Sequence, residues 1–375
     1  MLCKNQKDLE VIFMQIGIVG LPNSTKTTIF NALTKSQEVT AVTSSGQVEV
    51  HTAIVEVPDP RVDKLSAIFN PEKTTYARVQ YNDVAGLKIG SGQDGSLSGQ
   101  LLNAISQSDA ILHVVRAFED DRIPHPDGNV DANRDLTALD FEFLISDLQI
   151  VERRLERLSH DLERKGKYPE RPIDQAELEV LTRIKVGLEN EHPIRSLEFS
   201  PAELKITRGF QFLTAKPELI ALNVGDDGSE DPADFLISKN ENGDIVCLHG
   251  ALEMEIAQLK AEDADLFMKE YGIIEPGLNR MIRLNYELLG LQSFFTVGED
   301  EVRAWTIQKG ATAVEAAGTI HSDLARGFIR AEVVSYQDLI EAGSLGEVKK
   351  LGKTRLEGKN YIVQDGDILN IRFNI

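Results

Sequence analysis

The chain is poor in cysteine, in long apolar runs and in positive charge, and each shortage excludes a class of protein. Its 375 residues include two cysteines, Cys3 and Cys247, whose separation fits neither a disulfide framework nor a zinc site. No apolar run approaches the roughly 18 residues of a membrane-spanning helix. Only 40 lysines and arginines face 60 aspartates and glutamates, for a net charge of −20. Any nucleic-acid contact therefore needs a local basic patch, and we expect a cytoplasmic protein without a membrane partner.

Short apolar segments alternate with helical patterns over the first part of the chain. Gln15–Val19, Ile111–Val115 and Glu218–Asn223 have the length and composition of buried strands. Thr27–Lys35 has the apolar spacing of a short helix. Buried strands separated by helices are typical of a mainly parallel sheet with helices on both faces, so we predict an α/β fold.

A helical segment interrupts this pattern in the middle of the chain. Between Phe141 and Leu162 the apolar residues recur at intervals of three and four. Lys165–Pro169 then breaks the run, and a second helical pattern follows. The short break predicts an inserted antiparallel helical hairpin, either a solvated arm or a partner surface.

The C-terminal part has the alternation and turns of a small β-rich module. Predicted strands flank Gly298–Asp300 and again Gln364–Asp367, which are two hairpin signals of a β-grasp-type unit. We therefore divide the chain into an N-terminal extension at 1–13, the first part of the sheet domain at 14–140, the helical hairpin at 141–205, the second part of the sheet domain at 206–290, and the β-grasp module at 291–375.

The loop Gly20–Thr27 follows the first strand and has the pattern of a phosphate-binding loop with one exception. The pattern Gly-x-x-x-x-Gly-Lys-Ser/Thr requires a glycine where Thr25 stands. Lys26 is expected to reach the β- and γ-phosphates, and Thr27 to ligate Mg²⁺. A stiff Thr25 hinders the close approach of phosphate, while its hydroxyl and that of Ser24 could contact phosphate oxygens. The loop is therefore either a nucleotide site or a degenerate loop that binds nothing useful. Its predicted nucleotide-binding residues are Asn23, Ser24, Thr25, Lys26, Thr27 and Thr28.

Two further motifs stand at the ends of predicted strands. The tetrapeptide 83–86, Asp-Val-Ala-Gly, resembles the D-x-x-G switch of P-loop GTPases, in which the Asp contacts Mg²⁺ and the Gly amide senses the γ-phosphate. The tetrapeptide 223–226, Asn-Val-Gly-Asp, lies where nucleotide bases bind in such sheets and is either a variant of N-K-x-D or an ordinary turn. The predicted site residues of these motifs are Asp83 for the metal, Gly86 for the phosphate, and Asn223, Val224 and Asp226 for the base.

Together with several further blocks in the same order, these motifs resemble the YchF family, the Obg-like ATPases of the P-loop GTPase class. The resemblance runs from about Met14 to Ile375. The further blocks are Phe30–Thr34, Val57–Arg61, His113–Asp121, Phe212–Pro217, Glu253–Leu259, Val302–Ile307, Gly327–Glu332 and Asp365–Asp367. The last three resemble the TGS domain that ends this family. The resemblance thus implies a P-loop NTPase fold with a C-terminal β-grasp TGS domain.

The resemblance also implies an activity. Members of the family tend to prefer ATP, so we expect slow ATP hydrolysis with some tolerance for GTP. They carry an apolar residue at the position of Leu87 and hydrolyse with help from a mobile histidine, which His125 matches. Lys26 and His125 are accordingly the predicted catalytic residues. Mg²⁺ is the implied cofactor, and Asn23 matches a K⁺ ligand of related potassium-stimulated GTPases.

The implied partner is the ribosome or RNA, reached through the helical arm and the TGS domain. One basic cluster lies near the C-terminus and is either an RNA-facing patch or a solvated hairpin flank. Its members are Lys349, Lys350, Lys353, Arg355 and Lys359.

Three departures from the family pattern touch the phosphate and metal side. The family has Val-Gly where Ser24 and Thr25 stand, Gln47 takes the place of the Mg²⁺-binding threonine, and the segment 88–96 replaces a glycine-rich switch. These departures leave a second hypothesis open. In it, the chain is a non-hydrolysing nucleotide-sensing or ribosome- and RNA-interaction module with degenerate switches.

Overall fold

The structure, a computed structural model, describes residues 14–34, 39–43, 49–84, 97, 99–164, 171–226, 228–235 and 244–374. The predicted extension at 1–13, Gln47, Gly86, Leu87 and the predicted break at 165–169 lie outside these ranges. No helix within them is long and apolar enough to cross a membrane.

The elements alternate as predicted in the first part of the chain. They are β1 (Gln15–Val19), α1 (Lys26–Leu33), β2 (Val39–Thr43), β3 (Glu49–Glu56), α2 (Pro60–Phe69), β4 (Lys73–Thr75), β5 (Arg78–Val84), α3 (Gly99–Ser106), β6 (Ala110–Ala117), α4 (Ala132–Arg164), α5 (Arg171–Glu189), α6 (Pro201–Thr207), β7 (Glu218–Val224), β8 (Asp244–Leu248), α7 (Gly250–Gln258), α8 (Ala261–Glu270) and α9 (Gly277–Leu288). The C-terminal part adds β9 (Leu291–Thr296), β10 (Glu301–Gln308), α10 (Ala313–Ile320), α11 (Ser322–Arg326), β11 (Phe328–Ser335), α12 (Tyr336–Ala342), α13 (Leu345–Lys350), β12 (Arg355–Glu357) and β13 (Asp367–Phe373).

These elements form two compact units that differ from the predicted division. One unit lies within Met1–Ile54 and Gln80–Met281, and the other within Val55–Val79 and Ile282–Ile375. The predicted domain bounds assign the segment Val55–Val79 to the sheet domain, whereas the compact units assign it to the C-terminal part.

A seven-stranded sheet organises the first unit, in the order β2-β3-β5-β1-β6-β7-β8. Strand β1 is parallel to β5 and β6, β6 is parallel to β7, and β7 is parallel to β8. Strands β2 and β3, at one edge of this sheet, are antiparallel. The predicted mainly parallel α/β sheet is therefore confirmed. Because parallel strands end at the same edge, the loops after β1, β5, β6, β7 and β8 can build one site.

The helical hairpin is confirmed, but its first helix begins before the expected residue. Helix α4 runs from Ala132 rather than from about Phe141. The ion pairs Arg154–Glu177 and Lys185–Glu152 show that α4 and α5 run antiparallel.

The early start of α4 has a physical reason in its apolar spacing. Leu139 and Phe143 are buried with Val19 and Ile111 in the core under the sheet. The first part of α4 therefore packs in the core of the sheet domain, and its later part belongs to the helical hairpin. The domain boundary expected at residue 141 falls inside this one helix.

A buried charge cluster attaches α4 to the sheet. The Nδ1 atom of His113 on β6 lies 3.1 Å from Oε1 of Glu218 on β7, and Arg195 pairs with the same carboxylate. Burial, together with the Glu218 carboxylate, raises the pKa of Asp140 on α4 to about 7. Burial opposes ionisation of Glu218 as well, but His113 and Arg195 outweigh it and lower the pKa of Glu218.

A six-stranded mixed sheet organises the second unit, in the order β12-β11-β13-β9-β10-β4. The first predicted hairpin is confirmed, because β9 and β10 are antiparallel around Gly298–Asp300. The second is wrong: β13 pairs with β11 and β9, and Ile362 makes only an isolated bridge to Thr312. The edge strand β4 comes from the segment Val55–Val79 and pairs with β10 in parallel.

Ionic and cation–π contacts hold the segment Val55–Val79 in the second unit. The Arg61 guanidinium pairs with Asp59 at 2.8 Å and with Asp365 at 2.7 Å. The same group lies over the ring of Phe295, 5.1 Å from its centroid. Burial lowers the pKa of Arg61, but the two carboxylates outweigh it and raise the pKa above its usual range.

Two phenylalanines on α4 provide a test of the core. Phe143 is 2% exposed and Phe141 is 49% exposed. We expect Phe143→Ala to lower the free energy of unfolding by about 3–5 kcal/mol, because it leaves a cavity under the sheet. Phe141→Ala, the matched control, should change it by less than about 0.5 kcal/mol. Urea unfolding measures both values, and equal losses for the two variants would contradict the burial of Phe143 in the core.

Candidate functional site

The loop between β1 and α1 is shaped by close backbone approach and by left-handed residues. A Cβ atom on Gly20 would stand 2.4 Å from the Val114 carbonyl oxygen, so only glycine fits there. Asn23 and Thr25 adopt φ angles of 62° and 66°. Asparagine tolerates the left-handed conformation, whereas it disfavours a β-branched threonine by about 1 kcal/mol or more. The loop therefore has the predicted strand–loop–helix position and a strained backbone.

The Thr25 hydroxyl is occupied within the protein. It donates to the Ser24 carbonyl oxygen and accepts a hydrogen bond from Nδ2 of Asn223. Because its single proton is already donated, it has none to offer a phosphate in this arrangement. Ser24 is different, since its Oγ is buried and has no hydrogen-bond partner among the described residues.

Lys26, Thr27 and Asp83 form the charged side of the site. Thr27 Oγ1 donates to Asp83 Oδ2 at 3.4 Å, and Asp83 Oδ1 is buried without a hydrogen-bond partner in the described ranges. Burial raises the pKa of Asp83, and the Lys26 ammonium partly opposes this. Burial also lowers the pKa of Lys26, with partial compensation from Asp83. A hydroxyl beside a carboxylate with an unsatisfied oxygen is a donor set that fits Mg²⁺.

His125 lies beside the loop in a hydrogen-bonded pocket. Its side chain is 4% exposed, and Nε2 lies 2.8 Å from Asp135 Oδ2. The backbone N–H of Asp127 donates to Nδ1 at 3.2 Å, which leaves Nε2 to carry the proton. Asn23 Nδ2 donates to the Pro124 carbonyl oxygen at 3.0 Å and so connects the loop to this segment. Both ring nitrogens are thus engaged, and His125 must leave Asp135 to meet a ligand.

A buried arginine that was not among the predicted site residues fixes the segment that leads to His125. Arg116 is 1% exposed. Its guanidinium donates to the carbonyl oxygens of Phe118 at 2.9 Å and Ile123 at 2.7 Å. The only signal in the sequence is a charged residue at the end of an apolar strand.

At the predicted base end, the structure brings Asn223 into the site and leaves Val224 in the core. Val224 is 2% exposed and packs among apolar residues of β6 and α4, so its side chain cannot contact a base. Asp226 is exposed at the following turn. Asn223 is 3% exposed, and its Oδ1 accepts a hydrogen bond from the Gly250 N–H at 2.8 Å.

Two residues directly after β8, His249 and Gly250, also belong to this end of the site and were not among the predicted site residues. A Cβ atom on Gly250 would stand 2.6 Å from Asn223 Oδ1, so glycine is required at this contact. His249 Nδ1 lies 2.8 Å from the Gly225 carbonyl oxygen. The position of a glycine directly after a buried strand was the available signal.

The basic cluster is largely neutralised. Lys350 pairs with Glu347 at 2.6 Å, and Lys353 with Asp338 at 2.7 Å. Arg355 lies near Glu357 and Asp367, at 3.5 Å from each. Lys349 and Lys359 form no ion pair with a described residue, so the cluster offers less charge than its sequence indicates.

Comparisons with known proteins cover nearly the whole chain. Residues 15–145 match the family model described as a 50S ribosome-binding GTPase, and residues 291–374 match the YchF C-terminal model, described as a protein of unknown function. "Ribosome-binding ATPase YchF" of Bacillus subtilis is 42% identical over 367 residues, which cover 96% of this chain and 99% of that protein. The protein of the same name from Escherichia coli O157:H7 is 42% identical over 364 residues, with the same coverage. The structure of the Schizosaccharomyces pombe YchF GTPase superposes with a TM-score of 0.84 at 32% identity, and covers 96% of this chain and 97% of that one.

Ser24 provides a test of whether the loop is built for a ligand. An unpaired buried hydroxyl is destabilising, so we expect Ser24→Ala to raise the free energy of unfolding of the ligand-free protein by about 1 kcal/mol. It should also weaken the binding of Mg²⁺-tripolyphosphate. Ser108, whose buried Oγ is likewise without a described partner, is the matched control. Ser108→Ala should give a similar gain in urea unfolding and leave tripolyphosphate binding unchanged. Equal binding by both variants would contradict a phosphate role for Ser24.

Proposed function

Because the chain belongs to the YchF family, we propose that it is a P-loop nucleotide hydrolase that binds and slowly hydrolyses ATP, with some tolerance for GTP. The observation that carries this proposal is the loop after β1. There a desolvated Lys26 stands beside the Thr27–Asp83 pair, and Asp83 retains an unsatisfied buried oxygen. A partly desolvated cation and unpaired buried polar atoms are destabilising in the free protein, and an anionic ligand with a metal ion would satisfy them.

The residues of the loop have separate roles in this proposal. Lys26 would contact the β- and γ-phosphates, assisted by the N-terminal N–H groups of α1. Thr27 and Asp83 would hold Mg²⁺, which neutralises charge on the phosphates when bound. Thr28 would be a further phosphate contact, and the amide of Gly86, which lies outside the described residues, is expected from its motif to be another. Asn23 would offer its Oδ1 to K⁺, since its Nδ2 is bonded to Pro124.

His125 would orient the attacking water after its ring leaves Asp135. The neutral ring has one nitrogen that accepts a proton and one that donates it, which suits the ordering of water next to a phosphate. Because Asn23 is hydrogen-bonded to the Pro124 carbonyl oxygen, a change in the conformation of the phosphate loop would also move the segment that carries His125. At the base end, Asp226 is exposed and free to turn toward the exocyclic groups of the base.

Nucleotide binding and turnover test this proposal directly. Turnover of Mg²⁺-ATP and Mg²⁺-GTP would be compared in K⁺ and in Na⁺ buffers. Lys26→Ala should weaken nucleotide binding by about tenfold or more, because a charge-assisted contact is lost. His125→Ala should lower turnover by about 100-fold and leave binding unchanged. His160, which is 57% exposed on the helical hairpin, supplies the control His160→Ala.

The outcomes separate the parts of the proposal. Nucleotide binding would be refuted if neither nucleotide binds at millimolar concentration, or if Lys26→Ala binds nucleotide as well as wild type does. Normal turnover by His125→Ala would refute only the role of His125. Binding without turnover in the wild type would favour the non-hydrolysing module.

We also propose that the protein binds the ribosome, as the names of its relatives state for them, and that it does so in the cytoplasm. Lys349 and Lys359 would be the contacts of the C-terminal unit, since neither has an ion pair among the described residues. We expect wild type to co-sediment with ribosomal particles, and the double charge reversal Lys349→Glu, Lys359→Glu to reduce pelleting severalfold. Lys309→Glu, an exposed change in the same unit, is the control. Pelleting of wild type no higher than background would refute ribosome binding, and equal losses for all variants would refute the assignment to these two lysines.

A further inference from the structure

Thr25 is the residue that distinguishes this phosphate loop from its pattern, and its conformation is the one that glycine normally supplies. The φ of 66° and ψ of 19° are left-handed, and a β-branched residue is disfavoured there. Something must stabilise Thr25 in this conformation. Its hydroxyl is the only part of the side chain that can form hydrogen bonds.

That hydroxyl forms the middle of a chain of hydrogen bonds. It donates to the Ser24 carbonyl oxygen within the loop and accepts from Asn223 Nδ2 at the end of β7. Asn223 Oδ1 in turn accepts the N–H of Gly250, the first residue of α7, at 2.8 Å. This series of hydrogen bonds therefore connects the phosphate loop, through the side chains of Thr25 and Asn223, to the backbone after β8.

The geometry leaves this series of hydrogen bonds little freedom to rearrange. Asn223 is 3% exposed, so neither of its polar atoms can exchange the protein contact for bulk water. The missing side chain of Gly250 makes the approach to Asn223 Oδ1 possible. Loss of either side-chain partner strands a buried polar group.

We propose that Thr25 is a positioning residue whose hydroxyl couples the phosphate loop to Asn223, so that the base end of the site sets the affinity of the phosphate end. The inference rests on the proposed nucleotide binding and deepens it. Asn223 then acts on the phosphate loop through Thr25, even for a ligand without a base.

A ligand that lacks a base separates this role from base recognition. Mg²⁺-tripolyphosphate carries the phosphates alone. We expect Thr25→Ala and Asn223→Ala each to weaken its binding by about fivefold, the equivalent of one hydrogen bond. The double variant should bind as weakly as either single variant, because both remove the same contact. Thr25→Ser keeps the hydroxyl and should bind as wild type does.

The measurement is a titration of the full chain with tripolyphosphate and with ATP, after thermal unfolding has shown that each variant is folded. The inference is overturned if Asn223→Ala weakens ATP binding and leaves tripolyphosphate binding unchanged. It is also overturned if the two losses multiply in the double variant, or if Thr25→Ser binds as weakly as Thr25→Ala. A wild type that binds neither ligand removes the proposed function as well, and is thereby distinguished from failure of the inference alone.

Discussion

The left-handed backbone at two non-glycine positions is the constraint on which the site depends. Asn23 and Thr25 both have positive φ angles, a conformation that asparagine tolerates and that disfavours the β-branched Thr25. Each side chain has a hydrogen bond to a different segment, Asn23 to the Pro124 carbonyl oxygen and Thr25 to Asn223. The phosphate loop is thus connected to the segment that carries His125 and to the end of β7. A change at either segment is expected to reach the loop, because the loop relies on both contacts.

Several polar groups around this loop are buried or partly buried without full compensation. Lys26 and Asp83 are only partly compensated by each other, and Ser24 Oγ and Asp83 Oδ1 have no partner in the part of the chain that the structure describes. Such groups lower the stability of a protein, and in native structures each calls for an explanation. Their location around one loop, on the edge where five strands end, is the arrangement expected of a preformed anion and metal site.

Much of the fold could be predicted from local patterns because the signals were local. The apolar strands, the helical spacing of α4 and α5 and the turn at Gly298–Asp300 each act within a few residues. The exact start of α4 could not be predicted, since Leu139 and Phe143 continue the same spacing and only the sheet determines what they pack against. The pairing of β13 and the origin of β4 are likewise decided by distant segments.

The site was predictable in its residue types and unpredictable in their contacts. The motifs predicted that Thr27 and Asp83 share a metal ion, and strand–loop–helix geometry places the Thr27 hydroxyl 3.4 Å from the Asp83 carboxylate. The motifs did not show that the Thr25 hydroxyl is used by Asn223, or that Asp135 holds His125. The sequence left the basic cluster as either an RNA-facing patch or a solvated flank, and the acidic partners that fold against Lys353 and Arg355 come from distant segments.

The departures from the family pattern at Ser24 and Thr25 do not have the features expected of a degenerate loop. A loop that had lost its ligand would be free to satisfy its buried groups or to replace them with apolar ones, and either change would stabilise the protein. This loop does neither at Lys26, Asp83 and Ser24. The threonine that breaks the pattern is itself stabilised by a dedicated contact to Asn223. These features favour a functional loop with altered internal hydrogen bonds over a degenerate loop. They therefore also favour the interpretation of the chain as a nucleotide hydrolase.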